Sequence, residues 1–354
     1  MFLRNLIFFI LCISFIISCK LKDENSGNSY KEYELKHKQH CEIYLHRPHI
    51  QVADSFLIVV SHRQNDGICQ LYSIERNMEM VCTYGKIGNG PKEFLQPVLT
   101  YATGNIFALN DLNLTSLAIM QIETVNDSIS VRELKRMKAP YIPQKGEFMP
   151  KDVRFMKIGK EHYVSSLYTG NNRFFTLSDS LLQPVLRFGE SPIKEELSTF
   201  VMRSRLGGKT AVHKNTFIFA TNDLPYLASY SLQNDSMIKN WSMFYKKPYY
   251  GISNGDILYS KENTTGPMID LKVDSQYIYV LYLDQLLSDY DYMDTEKSCS
   301  NKIFVFNHNG EKVACMNLDC YLSQIAVDSN RNKIYGIAEN PETSLVEFDL
   351  PENL

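Results

Sequence analysis

Six short apolar runs begin at Leu57, Ile106, Tyr163, Phe217, Ile278 and Ile334, at successive separations of 49, 57, 54, 61 and 56 residues. A loose period of this length marks a chain built from copies of one supersecondary unit, none of which buries its apolar face alone. Three of the six share a lead-in: Val52-Ala53-Asp54-Ser55, Val273-Asp274-Ser275 and Val327-Asp328-Ser329. Asp and Ser bond the backbone of their own turn, so apolar strand, Asp-Ser turn and apolar strand together make a compact hairpin.

Each unit then continues into a second hairpin. Residues 70–74 return through Arg76-Asn77 to Met80–Cys82, and Ile303–Phe306 return through Asn309-Gly310 to Lys312–Ala314. Asn and Gly accept positive φ, which tight hairpin turns require. Asn126-Asp127-Ser128 and Asn234-Asp235-Ser236 read as the matching turns elsewhere. Four strands per unit is the pattern of a propeller blade. The expected fold is therefore all-β: a six-bladed β-propeller of four antiparallel strands per blade, spanning residues 32–354. The last unit has strands near Ile325–Val327, Ile334–Ala338 and Ser344–Leu350 and lacks an outer one. Placing the unassigned Tyr33–Leu45 segment there closes the ring with an N-terminal strand and covers an exposed edge. Sustained helical periodicity is absent; residues 190–206 come nearest, as a short helix or an inter-blade loop.

The first residues give an address. Arg4 precedes an apolar run from Leu6 to Ile17, and Ser18 precedes Cys19. This resembles a bacterial lipoprotein signal, with residues 1–18 removed and Cys19 carrying the lipid, palmitate included. The run is too short to be a stable membrane span. Residues 19–31 are polar and read as a tether. Within it, Lys22-Asp23-Glu24 resembles the surface-export signal of Bacteroidetes lipoproteins, the other reading being a solvated linker. The expected location is the outer membrane, lipid-anchored and facing outside, with the periplasmic face as the alternative. The net charge of −3 and the lack of a long basic run argue against nucleic acid as a partner.

Of eight cysteines, Cys12 leaves with the signal and Cys19 takes the lipid, so Cys41, Cys69, Cys82, Cys299, Cys315 and Cys320 remain. Export permits pairing, and Cys69 and Cys82 flank a hairpin where they can face each other. Buried apolar thiols are the favoured reading.

The stretch Thr83-Tyr84-Gly85-Lys86-Ile87-Gly88-Asn89-Gly90-Pro91-Lys92-Glu93-Phe94, with Pro97 beyond it, resembles the inter-blade signature of TolB-like six-bladed propeller lipoproteins of the Bacteroidetes type. Ile303–Phe306, Gly310, Leu318-Asp319, Val327-Asp328, Ile334-Tyr335 and Asn340-Pro341-Glu342 match as well, whereas residues 110–260 give little motif support. The resemblance implies fold and lipid-anchored location; it transfers no catalytic residues.

Candidate chemistry is sparse. Gly85, Gly88 and Gly90 imitate a phosphate loop, but Pro91 to Leu95 run toward a strand and not into a helix, so a tight crossing between blades explains them better. His37, His40, His46 and His49 cluster around Cys41, yet His37 and His40 fall on opposite strand faces, and exposed histidines on the closing strand are expected. Asp289, Tyr290, Asp291 and Tyr292, with Asp284 and Asp294 nearby, form the surface candidate for a sugar or peptide; the pattern lacks the Gly and Glu of a calcium loop. No nucleophile elbow or zinc motif occurs. No catalytic residue, metal or cofactor is expected. The role expected is a non-catalytic binding or scaffold module for a glycan, peptide or protein partner. The alternative is a propeller enzyme, lactonase-like or glycan-active, with a metal at the central channel.

Overall fold

The computed structural model describes residues 30–43, 48–61, 66–140, 153–166, 173–195, 197–291, 294–339 and 342–354. Two strands come first, β1 (Lys31–Leu35) and β2 (Lys38–Glu42). Blade 1 follows as β3 (His49–Ala53), β4 (Phe56–Val60), β5 (Asp66–Ser73) and β6 (Glu79–Ile87), with the two-residue β7 (Glu93–Phe94) running parallel on its edge. Blade 2 comprises β8 (Pro97–Thr103), β9 (Ile106–Asp111), β10 (Ser116–Val125) and β11 (Ser128–Lys138). Blade 3 holds β12 (Phe155–Ile158), β13 (His162–Ser165), β14 (Arg173–Ser178) and β15 (Pro184–Glu190). Helix α1 (Thr199–Arg205), capped by Ser198, leads into blade 4: β16 (Gly208–His213), β17 (Thr216–Thr221), β18 (Tyr226–Gln233) and β19 (Ser236–Phe244). A separate hairpin, β20 (Tyr250–Ser253) and β21 (Asp256–Tyr259), interrupts the series.

Blade 5 is β22 (Met268–Val273), β23 (Tyr277–Tyr282), β24 (Ser300–Asn307) and the first half of the 17-residue β25 (Lys312–Asp328), with the one-turn α2 (Thr295–Ser298) between β23 and β24. The second half of β25, with β26 (Lys333–Ala338) and β27 (Ser344–Asp349), makes blade 6. The first strands of the blades touch in the order β3, β8, β12, β16, β22, β25, and β25 touches β3 again. Six sheets thus stand around one axis.

All six runs that set the period are second strands, β4, β9, β13, β17, β23 and β26. In β4 every residue is buried, and in β9, β17, β23 and β26 all but the first. A second strand is covered on both faces by neighbouring blades, so it reads as a continuous apolar run without alternation. Where blades 3 and 4 meet, the cover is aromatic. Phe175 packs edge-on against Phe217 and Phe219 at ring separations of 4.7 and 4.8 Å, and Phe188 meets Phe217 at 5.6 Å. Each such pair contributes about 0.5–1.5 kcal/mol beyond the area it buries.

The turn chemistry follows from the residues. Asn126-Asp127 and Asn234-Asp235 have positive φ at both positions and join strands in register, Val125 opposite Ser128 and Gln233 opposite Ser236. Asp274 Oδ1 accepts the amides of Gln276 and Tyr277, and Asp328 Oδ1 those of Asn330 and Arg331, the side-chain turn expected of these repeats.

The N-terminal segment divides between two blades where a single placement was expected. β1 runs parallel to β25 on blade 5, Lys31 opposite Ala314, while β2 pairs antiparallel with β27, Lys38 opposite Glu347. The division arises because β25 serves two blades, leaving two adjacent edges within reach of one short segment. The expected facing of Cys69 and Cys82 fails by register. Cys69 lies opposite Tyr84 and Cys82 opposite Leu71, and no disulfide joins the cysteines of the described residues. Cys19, His46 and Tyr292 lie outside the described residues.

Candidate functional site

Antiparallel blades with parallel first strands put two kinds of connection at opposite ends of the axis. One end carries only short turns of two to five residues, such as Asp54-Ser55, Asn126-Asp127 and Asn234-Asp235. The other end receives the second-to-third-strand loops and the crossings between blades. There lie α1 and residues 191–207, the β20–β21 hairpin within residues 245–267, and residues 283–299 with α2. Sequence length is spent on one face only.

The first strands enclose an axial cavity of about 110 Å³, lined from every blade. Its charged lining is Arg154 just before β12, Lys209 on β16, and Asp270 and Lys272 on β22, with His49 of β3 across the channel. Asp270 is nearly buried and fully engaged. Its Oδ2 accepts Lys272 Nζ at 3.1 Å and the Ile325 amide at 3.0 Å, and its Oδ1 accepts the Leu271 amide at 2.9 Å. This carboxylate ties blade 5 to blade 6. Asp270→Asn keeps the shape but removes the charge facing Lys272; chemical denaturation is expected to show a loss of about 1–2 kcal/mol.

Lys209 differs. No hydrogen bond or ion pair reaches its ammonium among the described residues, and burial, with Arg154 and Lys272 nearby, pulls its pKa down to about 8 against the pull of Asp270. A second cavity of about 410 Å³ shares Arg154 and Lys209 with the channel and opens among Ser204 of α1, Gly207 and Asn222, on the face of long connections. Asp223, beside that cleft's Asn222, has its carboxyl pushed up to about 6 by burial, with Arg205 opposing.

The channel does not fit a metal cation. Three cationic side chains line it, and its one carboxylate is already bonded three times. The one cluster of metal-type donors among the described residues lies on the outer seam, where His37, Asp319 and Cys320 place donor atoms within 4.8 Å of one another. Asp319 Oδ1 there takes both the amide and Nδ1 of His37, at 3.0 and 2.8 Å. Burial, with Asp319 adjacent, pushes the Cys320 thiol up to about 12, which opposes the thiolate a metal needs.

The histidines that cluster in the sequence are dispersed in the fold. His37 pairs with Asp319, His40 bonds Glu347 at 2.9 Å, and His49 faces the channel. His40 was expected to be exposed; its side chain is 2% accessible, because β2 lies against β27 and closes over it.

The glycine-rich stretch is a blade crossing. Gly88 (φ 154°) and Gly90 curl around the chain's own Glu93, whose carboxylate accepts the Gly90 amide at 2.6 Å and pairs with Lys86 at 3.1 Å. The Gly90 amide bond, then Lys86, hold that carboxyl below its usual range. The anion that such a loop suits is therefore internal.

The acidic loop is exposed at Asp289, Tyr290 and Asp291. Asp284 at its base is occupied by Lys246 and by Lys302 at 3.0 Å, and these bonds hold its carboxyl below the usual range although burial pushes it up. Asp284 thereby fixes residues 245–267 to residues 283–299. Sequence reasoning passed over Arg154, Lys209, Asp270 and Lys272, which sit in no motif.

A family model described as TolB-like 6-blade propeller-like matches residues 28–330. No curated protein matches the sequence. Among solved structures, the Cps50 (Swd1) propeller domain of Myceliophteria thermophila is similar at 8% identity and TM-score 0.49, over 89% of this chain and all of that one. BamB of Moraxella catarrhalis is similar at 11% identity and TM-score 0.35, over 86% of this chain and 69% of that one. A luciferin-regenerating enzyme is similar at 9% identity and TM-score 0.47, over 90% and 96%.

Proposed function

The chain belongs to the TolB-like six-blade propeller family, and on that footing we propose that it is a non-catalytic binding module of the Bacteroidetes lipoprotein type. It is held at the outer membrane by lipid on Cys19, faces outside, and takes a glycan, peptide or protein on the face of long connections. The N-terminal segment acts as the seam that closes the ring. One observation carries the binding reading: among the described residues, the long connections, both helices and the extra hairpin emerge at one end of the axis, while the other end is trimmed to tight turns. Binding residues concentrate on loops that a rigid scaffold positions. The metal-dependent enzyme reading loses its ground in the cationic lining of the channel.

Two measurements test this. Cys19→Ala is expected to move the protein from the membrane to the soluble fraction; retention in the membrane defeats the anchor. On arrays of glycans and peptides, replacing Asp289, Tyr290 and Asp291 together by Ala is expected to weaken binding, while replacing Asn234-Asp235 on the opposite face by Gly-Gly leaves it unchanged. The reverse pattern overturns the choice of face, and an array without any ligand overturns the binding reading. No described helix is long and apolar enough to cross a membrane.

A further inference from the structure

We propose that His37, Asp319 and Cys320 form a site for a zinc-class divalent cation, which clamps the N-terminal segment to the point where β25 passes from blade 5 to blade 6. The inference goes beyond the binding reading above and does not rest on it: the three donors belong to the seam of the ring and to none of the long connections.

The first support is the donor set. An imidazole nitrogen, a carboxylate oxygen and a sulfur lie within 4.8 Å of one another. Imidazole and thiolate suit zinc and cobalt; calcium and magnesium take oxygen ligands and are disfavoured here. Three protein ligands leave a fourth position to water, and the exposed side of Asp319 gives an ion its way in. The second support is topology. Leu35 ends β1 opposite Leu318, and the chain then leaves β25 to pair with β27 from Lys38 onward. His37 sits in that two-residue link, while Asp319 and Cys320 follow Leu318 where β25 exchanges β24 for β26 as its partner. The two segments already converge without an ion, because the His37 amide donates to Asp319 Oδ1 at 3.0 Å. A site whose backbone is preset costs little ordering on binding. The third is the setting of the sulfur. Cys320 packs against the apolar cluster of blades 5 and 6, and no hydrogen bond reaches its thiol among the described residues. Its high pKa is no bar to ligation. A divalent charge at bonding distance reverses the local balance, so the thiol proton leaves for solvent as the metal–sulfur bond forms.

The probes are Co²⁺ and Zn²⁺, added at neutral pH to the whole chain after treatment with a chelator. Co²⁺ is expected to bind with a sulfur-to-cobalt charge-transfer band, which Zn²⁺ abolishes by displacement. Cys320→Ala is expected to lose that band and to bind Zn²⁺ about a hundredfold more weakly. His37→Gln keeps the thiol and is expected to weaken Zn²⁺ binding by about tenfold or more, which keeps the proposal open to refutation if the alanine variant does not fold. Cys82→Ser, on blade 1, is the control and should leave both band and affinity unchanged. Zn²⁺ at about a hundred times its dissociation constant is expected to raise the melting temperature of the parent by about 5 °C. The same concentration should raise that of Cys320→Ala by under about 1 °C. The lack of a charge-transfer band, a band that survives Cys320→Ala, or a Zn²⁺ affinity indifferent to both variants overturns the proposal. A parent melt that Zn²⁺ leaves unchanged overturns the clamp.

Discussion

Deleting Lys31–Ile43 is expected to lower the melting temperature by about 10 °C. The segment covers two edges at once. β1 places Tyr33 and Leu35 on the apolar cluster of blades 5 and 6, built around Met316, Ile325 and Phe348. Ile43, 3% exposed, enters a different cluster with Ile50, Tyr335, Ile337 and Leu345, which joins blade 6 to blade 1. Losing the burial that these three side chains share with their neighbours costs about 5 kcal/mol, at 1.5–3 kcal/mol for each one fully buried. At roughly 2 °C per kcal/mol for a domain this large, the shift follows. The electrostatic part runs the same way. His40 and Lys333 both bond Glu347, at 2.9 and 2.6 Å, and hold its carboxyl below the usual range despite its burial. A depressed carboxylate stabilises the folded state above its unfolded pKa and loses that contribution as pH falls through the folded one. The gap between full-length and deleted chains should therefore narrow toward acid pH, below about 4.5. Differential scanning calorimetry at pH 7 and pH 4 reads both effects. An unchanged melt would mean the ring holds without its N-terminal seam.

The spacing of six buried second strands makes the fold legible because the cause is local. A strand covered on both faces has to be apolar throughout, and the Asn-Asp and Asp-Ser turns between strands carry their own backbone chemistry. The division of β1 and β2 between two blades was not legible for the opposite reason. It depends on β25 crossing from blade 5 to blade 6 without a break, and residues 318–322, Leu-Asp-Cys-Tyr-Leu, look like any strand end. The cysteines follow the same rule: the hairpin is legible in the sequence, but a register two residues away from the one that would bring them together separates Cys69 from Cys82.

The channel was illegible because closure of the ring creates it. Arg154, Lys209, Asp270 and Lys272 are spread from position 154 to position 272 of the sequence, with no spacing that relates them. A lysine second in a strand ordinarily reads as a solvated end. Only when successive first strands face a common axis does this position turn inward. The acidic Tyr-rich loop illustrates the converse: its composition stood out in sequence, yet Asp284 at its base is a structural tie to Lys246 and Lys302.

The residue that sets the position of Lys209 is its predecessor. A Cβ added to Gly208 would lie 1.9 Å from the Ala220 carbonyl oxygen and 2.8 Å from the Thr221 Cα, far inside any tolerated contact. Those atoms are backbone of β17, paired with β16 at Gly208–Thr221 and Lys209–Ala220, so no side-chain rotation relieves the overlap. Either β16 shifts off β17 at the channel mouth or the rung opens, and the neighbouring bond from the Asn222 amide to the Gly207 carbonyl, 2.8 Å, is strained with it. Overpacking of this kind typically costs 1–3 kcal/mol where side chains give way, and a backbone collision sits at about 3 kcal/mol or above. Gly208→Ala is therefore expected to melt about 6 °C lower. The displaced strand should also shift Lys209 in the channel lining. Gly251, with nothing within 4 Å of an added Cβ, is the control: Gly251→Ala should leave the melt unchanged. A Gly208→Ala protein as stable as the parent would show that β16 has room to move at the channel mouth, and that Lys209 is not held by its backbone.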